Sequence, residues 1–123
     1  MIFRRRIPPL RKKPHPMSYY LFQGSYTSDA WSALVRKPRS RVQAIKGSIE
    51  KLGGRVEGAW LSFGDHDVVV VVRMPNNVSA AAFSLAVAAG GALKGAKTTP
   101  LLTFEEGVKA MRQAGKVGYR PPK

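Results

Sequence analysis

The stretch FGDHDVVVVVR, residues 63–73, places one of the chain's two histidines between two of its seven acidic residues. His66 with Asp65 or Asp67 has the residue types for acid/base chemistry, because imidazole changes protonation near neutral pH and a carboxylate can orient it. Neighbouring strand residues point to opposite faces, so the two aspartates would converge while His66 turns away. A metal site normally needs more ligands, and we expect none. The competing interpretation is a structural turn, in which Gly64 permits unusual dihedrals and Asp65 or Asp67, chiefly Asp67, hydrogen-bonds turn amides.

A basic elbow, RKPRSR at residues 36–41, interrupts an apolar helical pattern at Pro38. Guanidinium groups and free amides near a helix start can together hold a carboxylate or a phosphate. The alternative is a solvated loop, since charge clusters are common on protein surfaces. The candidates for binding an anionic ligand are therefore Arg36, Lys37, Arg39 and Arg41.

The chain has 123 residues, a formal net charge of +14 and no cysteine. The lack of cysteine excludes disulfides and suits a reducing compartment, so we expect a cytoplasmic protein. The leader, residues 1–16, contains six basic residues, four prolines and no acidic residue, and we predict that it is extended or disordered. It lacks the apolar run of a secretory signal. Its charge could support weak nucleic-acid contact, although short charge runs often have no partner.

Periodicity and turn signals predict a domain over residues 17–113, followed by a loose tail at 114–123. The predicted elements are a strand at 18–26, a broken helix ending at Gly53-Gly54, strands at 55–63 and 67–74, an alanine-rich helix after Asn76, strand material within 93–104 and a short helix opened by a capping box at 103–106. This order is the ferredoxin-like βαββαβ pattern of α+β proteins, with an antiparallel sheet and an extra C-terminal helix. The alanine-rich helix is too short and too interrupted for a membrane span, so we expect no membrane contact.

Two details of the predicted sheet matter for function. Strict alternation in the second strand puts Val56, Gly58 and Trp60 on the face opposite to Ala59 and Leu61. The valine run at 68–72 is apolar on both faces, whereas a sheet with one solvated face should alternate. One explanation of the missing alternation is that β-branched residues favour a central strand even when the second face is only partly covered. The other is that a second copy packs against this face, sheet to sheet, in a dimeric α+β barrel-type assembly. We expect this homo-oligomer, with interface candidates Tyr19, Leu21, Trp60, Val69 and Val71.

The helix-ending Gly53-Gly54, the strand after it and the turn GDHD at 64–67 resemble the GYD-domain family of small bacterial proteins. The similarity covers most of residues 17–112 and includes the later segment TTPLLTFEEGVKAM. His66 stands where the family typically has tyrosine, which puts any role of a phenol in doubt. The resemblance implies a ferredoxin-like α+β domain that associates through its sheet, and it supplies no catalytic residue.

These observations predict a small self-associating α+β domain without an assignable reaction or cofactor and with room for a small ligand between sheet and helices. One alternative is a cofactor-free enzyme of the dimeric α+β barrel type that uses His66 with Asp67 or Asp65. Another is a basic nucleic-acid-associated factor. Base stacking on the sheet is disfavoured, because the third strand has valines in place of aromatic rings.

Overall fold

The computed structural model describes residues 17–123 and contains four strands and four helices in this range. In chain order they are β1 (Ser18–Tyr26), α1 (Ser28–Arg36), α2 (Val42–Lys51), β2 (Arg55–Leu61), β3 (Val68–Met74), α3 (Asn77–Gly90), β4 (Leu93–Leu101) and α4 (Phe104–Ala114). The strands form one antiparallel sheet in the order β2-β3-β1-β4. The predicted α+β class and antiparallel sheet are confirmed, and the strand order is compatible with a ferredoxin-like fold.

The hydrophobic core lies on one face of the sheet, beneath α2 and α3. Alternate residues of β1 and β3 meet there with apolar side chains of the two helices, and the buried members are Tyr20, Phe22, Ile49, Val70, Val72, Met74, Ala80 and Phe83. The rings of Phe22 and Phe83 have centroids 4.8 Å apart, which joins β1 to α3. Burying one side chain of this size stabilises the fold by about 1.5–3 kcal/mol.

Local capping chemistry sets the helix boundaries. The Thr27 hydroxyl accepts a hydrogen bond from the amide of Ala30, and the Asn76 side chain accepts one from Ser79 at 2.8 Å. At α4, Thr103 and Glu106 form the predicted capping box, in which each side chain accepts from the other residue's amide. Such caps satisfy amides that have no partner inside the helix. The helix predicted to break at Pro38 is two helices, α1 and α2, joined across the basic elbow.

The alternation predicted for the second strand is wrong at Val56. Val56 pairs with Val72 and Gly58 pairs with Val71, so Glu57 forms a bulge between them. One extra residue reverses the alternation. Val56 therefore lies on the core face together with Ala59, and both pack against the core.

The Gly53-Gly54 pair ends α2 for two different reasons. Gly53 has a φ of 83°, a left-handed conformation that favours glycine at helix ends. Gly54 lies against β3, and a Cβ atom added to it would stand 2.7 Å from the carbonyl oxygen of Arg73. A methyl group at Gly47, inside α2, would meet open space.

We expect Gly54→Ala and Gly47→Ala to change stability in opposite directions. Gly54→Ala should lower the free energy of unfolding by about 1–3 kcal/mol, because the new methyl group overlaps backbone. Gly47→Ala should raise it by about 0.5–1 kcal/mol, since alanine is the better helix former. Urea denaturation of both variants checks the pair. Equal effects at the two positions would contradict the assigned packing.

Candidate functional site

Asp67 is a structural anchor between β1, β3 and α1. Its Oδ2 atom accepts hydrogen bonds from the backbone amide of Tyr26 at 3.0 Å and from the indole nitrogen of Trp31 at 3.1 Å. Its own amide donates to the carbonyl of Gly24 at 2.7 Å, and its carbonyl accepts from the amide of Ser62 at 2.8 Å. One residue thus fixes the end of β1, the hairpin connection and the first helix.

The other members of the GDHD turn are differently placed. The backbone carbonyl of Asp65 accepts a hydrogen bond from the Ser25 hydroxyl, and that of His66 accepts from the Ser62 hydroxyl. Gly64 does not use the left-handed conformation that glycine permits, and a Cβ there would meet open space. The turn is held by backbone carbonyls and by Asp67.

A cleft of about 490 Å³ lies between α1, the basic elbow, the start of α2 and the ends of β2 and β3. Most of its lining is apolar, including Leu34, Val42, Ile45 and Leu61. The indole of Trp31 forms one wall, and the Tyr26 ring meets it edge-on with centroids 5.1 Å apart. Since Asp67 accepts the indole N–H, this wall is held in a fixed orientation.

The structure separates the four basic candidates of the elbow. Arg39 and Arg41 line the cleft, whereas Arg36 and Lys37 are exposed outside it. The Arg39 guanidinium donates a hydrogen bond to the carbonyl of Lys37 at 2.6 Å. Within residues 17–123, neither cleft arginine has a carboxylate in salt-bridge range. The cleft is therefore an apolar space with a cationic rim.

The catalytic candidates do not meet this cleft. Asp65, His66 and Asp67 line neither it nor an adjacent cavity of about 330 Å³ beneath α2 and α3. The Asp67 carboxylate is occupied by two donors, and the His66 side chain forms no hydrogen bond with any described residue. The three residues are neighbours in a turn, and neither of these two cavities reaches them.

The five interface candidates share the face of the sheet opposite to the helices. Leu21 pairs with Val71, and Trp60 pairs with Val69, so their side chains project together. Tyr19 pairs with Arg73, whose guanidinium lies 5.3 Å from the ring centroid. We call this surface, formed by β1, β2 and β3, the open face.

Sequence reasoning missed two features. The indole N–H of Trp31 donates to a carboxylate 36 positions later, and nothing in the local sequence around Trp31 indicates this contact. α4 was predicted as a short helix, but its isolation was not: none of its residues is buried. An apolar side on a helix usually packs against another element. Val108 and Met111 therefore predict a cover for α4, and the described residues do not provide one.

The described part of the chain offers no other obvious chemistry. Within it, no three residues of the His, Asp and Glu types cluster as metal ligands would. No helix in residues 17–123 has the length and hydropathy to cross a bilayer. The leader, on which nucleic-acid contact was predicted to depend, lies outside the described residues.

Replacing Asp67 should weaken the fold far more than replacing its neighbour. Asp67→Ala leaves the donors of Tyr26 and Trp31 without an acceptor, so the free energy of unfolding should fall by about 1–3 kcal/mol. Asp65→Ala removes an exposed carboxylate and should change it by about 0.5 kcal/mol or less. Urea denaturation measures both. An equal loss in the two variants would show that Asp67 is not an anchor.

The sequence was compared with models of known protein families and with curated proteins, and the first comparison gives a match. The family model of the GYD domain matches residues 20–111, which is most of the chain. A search of curated proteins finds no match. The matched range contains all four strands from Tyr20 onward, the Asp67 anchor and the whole cleft, and it confirms the resemblance drawn from GDHD at 64–67. The chain belongs to the GYD-domain family.

Proposed function

We propose that this protein is a small self-associating domain that pairs with a second copy through its open face and holds a small ligand between its sheet and helices. The observation that carries self-association is the open face itself. Its apolar side chains come from three adjacent strands, and none of them belongs to the buried core that α2 and α3 cover.

The energetics favour a partner for this surface. Trp60 is 59% exposed at its edge, and Val71 lies at its centre between Leu21 and Gly58. Removing one large apolar side chain from water contributes about 1.5–3 kcal/mol, while association costs on the order of 4–15 kcal/mol. Several such side chains from each of two copies are needed: Trp60 is exposed, and Tyr19, Leu21, Val69 and Val71 are partly buried before association.

The charged residue on the open face is compatible with such pairing. Arg73 lies over the Tyr19 ring, and its guanidinium is 3.7 Å from the Glu57 carboxylate. The Glu57 bulge thus places an opposite charge beside Arg73, and the pair limits the repulsion between two arginines brought face to face.

α4 supports the same proposal. Phe104 and Met111 are 94% and 70% exposed, and with Val108 they form one side of the helix at spacings of four and three residues. This apolar side has no cover within the described residues. α4 begins three residues after β4 ends, beside the position where Leu101 pairs with Tyr19 of the open face. A second copy on the open face would lie within reach of α4.

The cleft supports the ligand-binding part of the proposal. Its volume of about 490 Å³ falls within the range of small-molecule sites, and apolar walls with few polar groups are typical of them. A binding domain accords with the geometry better than the alternative of a cofactor-free enzyme, because His66 and Asp67 do not face the cleft.

We expect the full chain to be a dimer or larger at micromolar concentration and Val71→Lys to convert it to a monomer. The substitution would place two ammonium groups in an apolar interface, where charge is costly to bury. Light scattering coupled to size-exclusion chromatography measures the mass, and circular dichroism checks that the variant is folded.

The matched control is Val78→Lys, which adds the same charge at a position that is 78% exposed in the first turn of α3. This variant should keep the mass of the unmodified chain. A monomeric unmodified chain, or equal dissociation by both variants, would contradict pairing through the open face.

A further inference from the structure

The cleft has the chemistry to select one class of ligand, and this inference rests on the ligand-binding part of the proposed function. Four of its lining residues, Pro38, Arg39, Ser40 and Arg41, belong to the basic elbow, and no acidic residue contributes to the lining. The other lining residues are apolar or aromatic. A ligand that matches both regions must have an extended apolar body and a single acidic group at one end.

The apolar part of the cleft is organised before a ligand arrives. Asp67 holds the Trp31 indole, and Trp31 in turn contacts the Tyr26 ring. Because the indole N–H is already donated, the ring presents its carbon surface rather than a free donor. A neutral polar molecule would lose hydrogen bonds to water in this region without replacement. The walls therefore favour a hydrocarbon or aromatic body.

The acidic group is selected at the elbow. Arg41 is the N-cap residue of α2 and its own side chain forms no cap, while the Ser40 hydroxyl accepts a hydrogen bond from the Val42 amide at 3.2 Å. The positive end of this helix lies at the cleft, because Ser40, Arg41 and Val42 all line it. Arg39 is held by its bond to the carbonyl of Lys37 and keeps other N–H donors available. Two guanidinium groups without a described carboxylate partner can bind one carboxylate through charge-assisted hydrogen bonds.

We propose that the cleft binds an amphipathic carboxylic acid, with the carboxylate between Arg39 and Arg41 and the apolar body against Trp31, Leu34 and Ile45. The arginines select an acid over a neutral ligand, and the walls select an apolar body over a polar one. Arg36 and Lys37 do not line the cleft and take no part, although they belong to the same basic elbow.

Titration calorimetry on the full chain tests this with two probes of equal chain length, decanoate and decanol. The unmodified protein should bind decanoate at least about tenfold more tightly than decanol, since one charge-assisted contact contributes about 1.4 kcal/mol or more. The double variant Arg39→Gln, Arg41→Gln should lose about tenfold or more in decanoate affinity and keep its decanol affinity. All four elbow residues are exposed, so the variants should fold, which circular dichroism verifies.

The control is the double variant Arg36→Gln, Lys37→Gln, which removes the same charge from the same elbow. It should bind both probes as the unmodified protein does. An equal loss of decanoate binding in this control would overturn the inference, because general charge would then explain the preference. Equal affinity of the unmodified protein for decanoate and decanol would overturn the acid selectivity and leave ligand binding intact. Binding of neither probe would overturn the proposed ligand-binding function together with the inference.

Discussion

The central strands carry apolar side chains on both faces, and the helices cover only one of them. β1 and β3 direct Tyr20, Phe22, Val70 and Val72 into the core beneath α2 and α3. Their alternate residues project from the open face, where no described element lies above them. A sheet with one solvated face usually alternates apolar and polar residues, and this sheet does not. The uncovered half and the unpacked apolar side of α4 are the features that make self-association the proposed behaviour of the chain.

Asp67 holds β1 and α1 together at the end of the sheet where the cleft lies. Its carboxylate joins the end of β1 to Trp31, and this contact sets the position of α1 relative to the sheet. The cleft lies between α1, which this contact holds against the sheet, and the basic elbow, which joins α1 to α2. Trp60 lines the cleft and also belongs to the open face. The proposed ligand site and the proposed interface therefore meet at one residue at the edge of the sheet.

Much of the fold could be predicted because its signals are local. Capping residues such as Thr103 and Glu106 act within one helical turn, and Gly53 ends α2 through its own left-handed conformation. The five valines make their strand apolar on both faces irrespective of their partners. The bulge at Glu57 was not predictable in this way, because it is a property of the pairing between β2 and β3. The sequence allows a left-handed conformation at Gly64, and the backbone there does not adopt it.

The amino-acid sequence by itself determined the order of the elements, the antiparallel sheet, the two-sided apolar strands and the family, since each depends on residue types at short spacings. Only the tertiary structure decided which polar residues have which role. GDHD presented three candidates for chemistry, and the fold made Asp67 an anchor by bringing it to Tyr26 and Trp31. The elbow presented four equivalent cations, and the path of the chain turned Arg39 and Arg41 into the cleft. The physical reason is that hydrogen bonds and cavities join residues far apart in sequence, and no local pattern specifies such contacts.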